Sequence, residues 1–203
     1  MDGKQARKRI GLYGGTFDPV HIGHLIAVEQ ARQAGEIEKV LLIPAGDPPH
    51  KGDEITPAKH RLEMLRLATA DNPYLEVDSR EVDSKEISYS VRTVLALEKE
   101  HPDWSIVFIV GEDSLLSIES WFRWQTLLSH VELLALRRAR QTGDGEKKAR
   151  ELTERGYRVR LVGEYVTDIS STAIRAALRK GSSLRYVLPE AVRRYIERER
   201  LYV

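Results

Sequence analysis

The sequence predicts an α/β fold, doubly wound, with a mainly parallel sheet and helices on both faces, and three observations carry that prediction. Short apolar runs of strand length alternate with segments of helical spacing along the chain. One run, Ser105-Ile-Val-Phe-Ile-Val110, holds five consecutive apolar residues, four of them β-branched, as a strand buried on both faces requires. The first run, Ile10 to Tyr13, ends in glycines and passes directly into helical spacing, a strand, loop and helix unit.

Taken in order, Ile10 to Tyr13 is the first strand, and Ile22 to Ala34 is a helix closed by Gly35. Val40 to Ile43 is a second strand broken by Pro44. The segment Pro44 to Pro57, with four prolines and two glycines, is a long loop. Pro57 opens a helix carrying Leu62, Leu65 and Ala68, Leu75 to Val77 is a short strand, and Ser88 to Lys99 is helical. Ser105 to Val110 is the central strand. Val131 to Leu136 follows as another strand, Gly145 to Arg155 as a charged surface helix, and Gln141 to Lys148 as the segment most prone to disorder. Tyr157 to Val162, with arginines at alternate positions, reads as a strand at an edge or with a partly solvated face, and two helices follow around Ile174 to Leu178 and over Val187 to Ile196. One domain over residues 1–203 is expected, with residues 1–9 as a flexible N-terminal extension.

Composition narrows the partners. Thirty-two basic against 31 acidic side chains give a formal charge of +1, which lacks the basic footprint of a nucleic-acid binder. Cysteine is absent, so disulfides, thiolate nucleophiles and cysteine-ligated metals are excluded together. No apolar run approaches the roughly 20 residues of a membrane span. The polar, basic start lacks the apolar stretch of a secretory signal, so a cytoplasmic protein is expected. A homo-oligomer is left open.

The segment Gly11-Leu-Tyr-Gly-Gly-Thr-Phe-Asp-Pro-Val-His-Ile-Gly-His24 carries the chemistry, with four glycines and two histidines between strand and helix. Glycines let backbone N–H groups approach an anion, and the helix start adds the positive end of its dipole. Three residues apart on a first turn, His21 and His24 place both imidazoles on one side. No Gly-Lys-Ser/Thr follows, so this is not a Walker loop, and the G-x-G-x-x-G spacing is missing. Zinc competes for two such histidines, but there is no glutamate in the interval and no cysteine anywhere. In open α/β sheets ligands lie at the carboxyl ends of the strands, where Gly14, the proline-rich loop and Gly111-Glu-Asp113 would meet. Far along the chain, Ser170, Ser171 and Thr172 suit a helix N-terminus that cradles phosphate, with Arg175 reaching it through a planar fork of donors.

Gly14 to His24, with its His21-Ile-Gly-His24, resembles the signature of the H-x-G-H nucleotidyltransferase superfamily, a Rossmann-like fold, and Ile169-Ser-Ser-Thr-Ala-Ile-Arg175 resembles the segment that completes its triphosphate site. Pro44-Ala-Gly-Asp-Pro-Pro-His-Lys51, Ser88-Tyr-Ser90, Phe108 to Ser114 and Trp121-Phe-Arg-Trp124 are similar to segments of bacterial nicotinate-nucleotide adenylyltransferases, and the likeness runs from Ile10 to Val203. The chain departs from that pattern at Arg138-Ala-Arg140, where relatives often have Arg-Pro-Gly. It departs again at Ser90, where threonine is common, and at Phe122, where tyrosine can occur.

The resemblance implies transfer of the adenylyl group of ATP to nicotinate mononucleotide, giving deamido-NAD and pyrophosphate. It implies that His21, His24 and Arg175 are catalytic, with His24 closest to the transition state. Gly14, Gly15, Thr16, Phe17, Gly111, Asp113, Ser171 and Thr172 would bind ATP, its phosphates or its ribose. Lys51, Tyr89, Ser90, Trp121 and Phe122 would bind the mononucleotide, Trp121 by stacking on the pyridine ring and Trp124 serving the core. Mg²⁺ is expected to accompany ATP through its phosphates, with no protein ligand named. Sister enzymes acting on nicotinamide mononucleotide or phosphopantetheine share the His21 to His24 motif, and a non-catalytic nucleotide sensor would be expected to have lost one of His21, His24 and Arg175.

Overall fold

The computed structural model describes residues 7–46, 55–84, 86–137, 143–163 and 167–203. Among them, six strands form one parallel sheet: β1 (Lys8–Gly15), β2 (Lys39–Pro44), β3 (Leu75–Val77), β4 (Trp104–Gly111), β5 (Glu132–Leu136) and β6 (Val159–Val162), in the spatial order β3-β2-β1-β4-β5-β6. From β1 the chain builds outward to β3 on one side. It then returns to place β4 against the other side of β1, so the strand order reverses between β1 and β4 and opens a crevice at their carboxyl ends.

The helices are α1 (Ile22–Ala34), α2 (Ala58–Thr69), α3 (Arg80–Asp83), α4 (Ser90–Glu100), α5 (Glu112–Leu116), α6 (Trp124–His130), α7 (Asp144–Glu154), α8 (Ser171–Arg179) and α9 (Glu190–Glu199). A strand sends alternate side chains to opposite faces, and both faces here are covered. On one face Leu12, Leu41, Phe108, Val110 and Leu133 pack against Val91, Val94 and Leu97 of α4, Leu127 of α6 and Leu152 of α7. On the other, Val40, Val107, Ile109 and Leu134 pack against Val28 and Ala31 of α1. Beside them Leu42 meets Met64 and Leu65 of α2 and Val192 and Ile196 of α9. β4 lies at the centre with Phe108 and Ile109 both buried, as its unbroken apolar run predicts. Among the described residues no helix is long and apolar enough to cross a membrane.

Several boundaries differ from the sequence expectation. β1 starts at Lys8, inside the expected nine-residue extension. Backbone pairing outruns the apolar stretch there, since Lys8 donates its N–H to Asp103 and the Arg9 guanidinium reaches Glu132 at 3.0 Å. The part of Gln141 to Lys148 from Asp144 onward is the first turn of α7, with Asp144 and Glu146 at the positive end of its dipole and Ala149 and Leu152 buried beneath it. The last helix starts at Glu190, not Val187. Pro189 takes the N-cap, and the Val187 carbonyl instead accepts the Ile22 N–H at the start of α1. β6 is the edge strand expected, shortened to four residues. Neither α3 nor α5 was legible in the sequence, being only four and five residues long.

Candidate active site

A cavity of about 720 Å³ opens at the carboxyl ends of β1 and β4. One wall is the turn from Gly14 to Phe17 with His24 beyond it. The floor is the end of β4 through Gly111 and Asp113, and the far wall is formed by Ser88, Tyr89, Ser90, Trp121 and Phe122. Of the expected site residues, Gly14, Gly15, Thr16, Phe17, His24, Tyr89, Ser90, Gly111, Asp113, Trp121 and Phe122 all line this one space.

The turn is shaped by Phe17, a buried residue held at φ 51°. A non-glycine side chain in the left-handed region costs of order 1 kcal/mol, and such conformations persist where packing over-determines them. Here the Phe17 ring fills the space above Gly15, where an added Cβ would meet it at 3.0 Å. The ring edge also meets Tyr13 at 5.7 Å and His24 at 5.1 Å between centroids.

His21 is the N-cap of α1 and His24 the third residue of its first turn, and their imidazoles stack 3.7 Å apart at 26°. His21 is buried at 3% exposure and His24 is half-buried. The His21 backbone N–H donates to Nδ1 of His24 at 3.3 Å. In the neutral ring that bond leaves the proton on Nε2, so the nitrogen on the other side of His24 is a donor. Gly23 permits this arrangement: a Cβ there would stand 2.8 Å from the Thr167 hydroxyl and 3.0 Å from Nδ1 of His21. His21, Gly23, His24, Gly111, Arg137 and Thr167 surround a smaller space of about 40 Å³ on the other side of the histidine pair.

Ser171, Thr172 and Arg175 do not line the large cavity. They stand on α8, whose N-cap Ser170 accepts the Ala173 N–H at 3.2 Å, and this end of the helix docks on the segment between the glycine turn and the histidines. The Ser171 hydroxyl donates to the Pro19 carbonyl at 3.0 Å, and Nη1 of Arg175 donates to the Asp18 carbonyl at 2.7 Å. Two motifs about 150 residues apart in sequence thus share one backbone stretch. Lys51 lies outside the described residues.

The aromatic wall holds three rings, those of Tyr89, Trp121 and Phe122. Trp121 leans edge-on against Phe108 of the core, with centroids 6.2 Å apart, while also facing the cavity. Phe122 is half exposed and lies over Tyr89 at 4.6 Å between centroids. Trp124 is buried in the core, as expected.

The sequence reading missed three residues that build the site. Arg61 is fully buried, and its guanidinium donates to the carbonyls of Thr56 at 2.9 Å, Thr16 at 2.8 Å and Gly46 at 2.8 Å. Its signal was available: Arg61 shares the apolar face of α2 with Leu65 and Ala68, at spacings of four and seven, where a charge needs partners. Glu81 of α3 lines the cavity, and its carboxylate accepts the Thr93 hydroxyl at 2.6 Å. Burial pushes its carboxyl above the usual range, against the lowering effect of that bond. Tyr202 donates its hydroxyl to the buried Asp18 at 2.6 Å, a contact no local pattern announces.

The chain as a whole is similar to known proteins. A family model described as cytidylyltransferase-like matches residues 12–177, from β1 through α8. A relative from Symbiobacterium thermophilum, named "Probable nicotinate-nucleotide adenylyltransferase", is 42% identical over 96% of this chain and 95% of its own length. One of the same name from Moorella thermoacetica is 40% identical over 96% and 91%. Among solved structures, Plasmodium falciparum nicotinic acid mononucleotide adenylyltransferase complexed with NaAD shares the fold. It aligns with a TM-score of 0.78 at 19% identity, covering 96% of this chain and 97% of that one. The glycine turn, the stacked histidines and the α8 arginine all fall within the matched span, and the chain belongs to the cytidylyltransferase-like family and, within it, to the nicotinate-nucleotide adenylyltransferases.

Proposed function

We propose that this chain transfers the adenylyl group of ATP to nicotinate mononucleotide. A phosphate oxygen of the mononucleotide attacks the α-phosphorus of ATP, a new P–O–P bond forms, the bond to the β-phosphate breaks, and pyrophosphate leaves with its electron pair. The observation that carries the reading is the pairing of walls in one cavity: a glycine turn with His24, which stacks on the buried His21 behind it, faces three aromatics. That arrangement suits a ligand with phosphates at one end and a flat ring at the other.

No protein nucleophile is needed, so catalysis rests on positioning and on donors aimed at developing charge. Backbone N–H groups near Gly15 and Thr16 hold phosphate, and Nε2 of His24 donates to the α-phosphate as charge builds on it. His21 supports His24 by stacking. Arg175, with Ser171 and Thr172 beside it, meets the outgoing pyrophosphate. Asp113 accepts from a ribose hydroxyl, and Trp121 offers its face to the pyridine, with Tyr89, Ser90 and Phe122 around it. Lys51 belongs to the proposal as a phosphate contact on sequence grounds alone. Mg²⁺ enters as part of the ATP complex, where it neutralises phosphate charge. Among the described residues no group of three or more His, Asp or Glu could hold a metal ion.

The test is pyrophosphate release on mixing the protein with ATP, Mg²⁺ and either nicotinate or nicotinamide mononucleotide. The acid is expected to be turned over with the higher kcat/KM. Clear preference for the amide, or no release with either, overturns the assignment.

A further inference from the structure

The backbone between the glycine turn and the histidine pair is held by a residue from the other end of the chain. Asp18 is only 3% exposed, and it is gripped from three directions. The Tyr202 hydroxyl donates to Oδ1 at 2.6 Å, the Thr56 N–H donates to Oδ2 at 3.3 Å, and Nη1 of Arg175 donates to the main-chain carbonyl at 2.7 Å. That same Nη1 stands 3.9 Å from Oδ2, at the outer edge of an ion pair.

Tyr202 reaches Asp18 because the chain reverses after α9. Arg200 caps the helix at φ 51°, Leu201 donates its N–H to Ile196, and Tyr202 itself sits at φ 66°. Leu201 and Tyr202 then pack on the same core as Phe17 and Ile174. Burial and the bond to Asp18 hold the phenol well above its usual ionisation range, so it remains a donor.

The geometry points to Tyr202 as a positioning residue of the adenylyl-transfer site, acting through Asp18 on Arg175. A buried carboxylate takes whatever donor is near, because leaving it unpaired is costly. With the phenol on Oδ1, the guanidinium of Arg175 stays on the neutral Asp18 carbonyl, the place from which its proposed role has it meet phosphate. Without the phenol, the carboxylate closes the remaining distance to the guanidinium and draws it away. The inference rests on the proposed role of Arg175 at the outgoing pyrophosphate, and it applies that role to a residue at the far end of the chain.

The experiment is a double-mutant cycle between Tyr202→Phe and Arg175→Ala, read by calorimetric binding of inorganic pyrophosphate and by kcat. Tyr202→Phe keeps the ring and its packing. It is expected to weaken pyrophosphate binding and to lower kcat by roughly tenfold each, with KM for nicotinate mononucleotide unchanged, and to have less than about a twofold effect in the Arg175→Ala background. A chain ending at Leu201 serves as a second variant with the same expected losses. The inference is overturned if Tyr202→Phe binds pyrophosphate within about twofold of the parent, or if its loss persists undiminished without Arg175, as a purely structural role would give. Pyrophosphate binding reads the coupling even if neither mononucleotide is a substrate, so failure of the proposed reaction and failure of this inference are distinguishable.

Discussion

Replacing Arg61 by methionine keeps an apolar stem like that of arginine and removes the guanidinium, leaving three partly buried carbonyls without their donor. Those carbonyls belong to Thr16 on the glycine turn and to Gly46 and Thr56 near the two ends of the Pro44 to Pro57 loop, each accepting at 2.8 to 2.9 Å. An unsatisfied buried acceptor costs about 1 to 3 kcal/mol, and water entering beside the segment recovers part of it, so about 3 to 6 kcal/mol of stability is lost. For a chain of this size each kcal/mol moves the melting point by about 2 to 4 °C, which places Arg61→Met about 10 °C or more below the parent. Thr16 would lose its anchor at the same time, and kcat/KM is expected to fall roughly tenfold or more. Urea unfolding followed by tryptophan fluorescence gives the stability term, and pyrophosphate release gives the kinetic one. A loss below about 1.5 kcal/mol with unchanged kinetics refutes the reasoning, since it would mean that the three carbonyls find other partners at no cost.

Two further outcomes follow from the site. His24→Ala is expected to lower kcat about a hundredfold or more through loss of a preorganised donor, with little change in melting temperature because the ring is half-buried; near-normal turnover in a folded variant would remove His24 from the mechanism. Glu81 binds its proton more tightly folded than unfolded, so its contribution to stability is fully present below the ordinary carboxylate value of 4.5 and is lost as pH rises through the raised folded value. Denaturant midpoints of the parent minus those of Glu81→Gln should therefore fall as pH increases upward from 4.5, and a difference flat across that range would contradict the assignment.

What the sequence by itself determined was whatever depends on local pattern. Alternating apolar runs gave the strands, Gly35 and Pro57 marked helix ends, and the Gly14 to His24 segment read as a glycine turn leading into a helix N-terminus because its residue types act through adjacent backbone. Short elements such as α3 escaped, since four residues hold too little periodicity to register. The charged surface helix was legible from Gly145 onward, and only its first turn, which overlaps Gln141 to Lys148, also read as loop. Only the tertiary structure decided which residues stand together: that Arg61 ties the glycine turn to both ends of the Pro44 to Pro57 loop, that α8 docks on Asp18 and Pro19 beside the cavity and not along its wall, and that Tyr202 closes on Asp18 from 184 positions away. The physical reason is that local spacing fixes backbone form, whereas a buried polar group is satisfied by whichever donor or acceptor the packed chain brings to it, however distant in sequence.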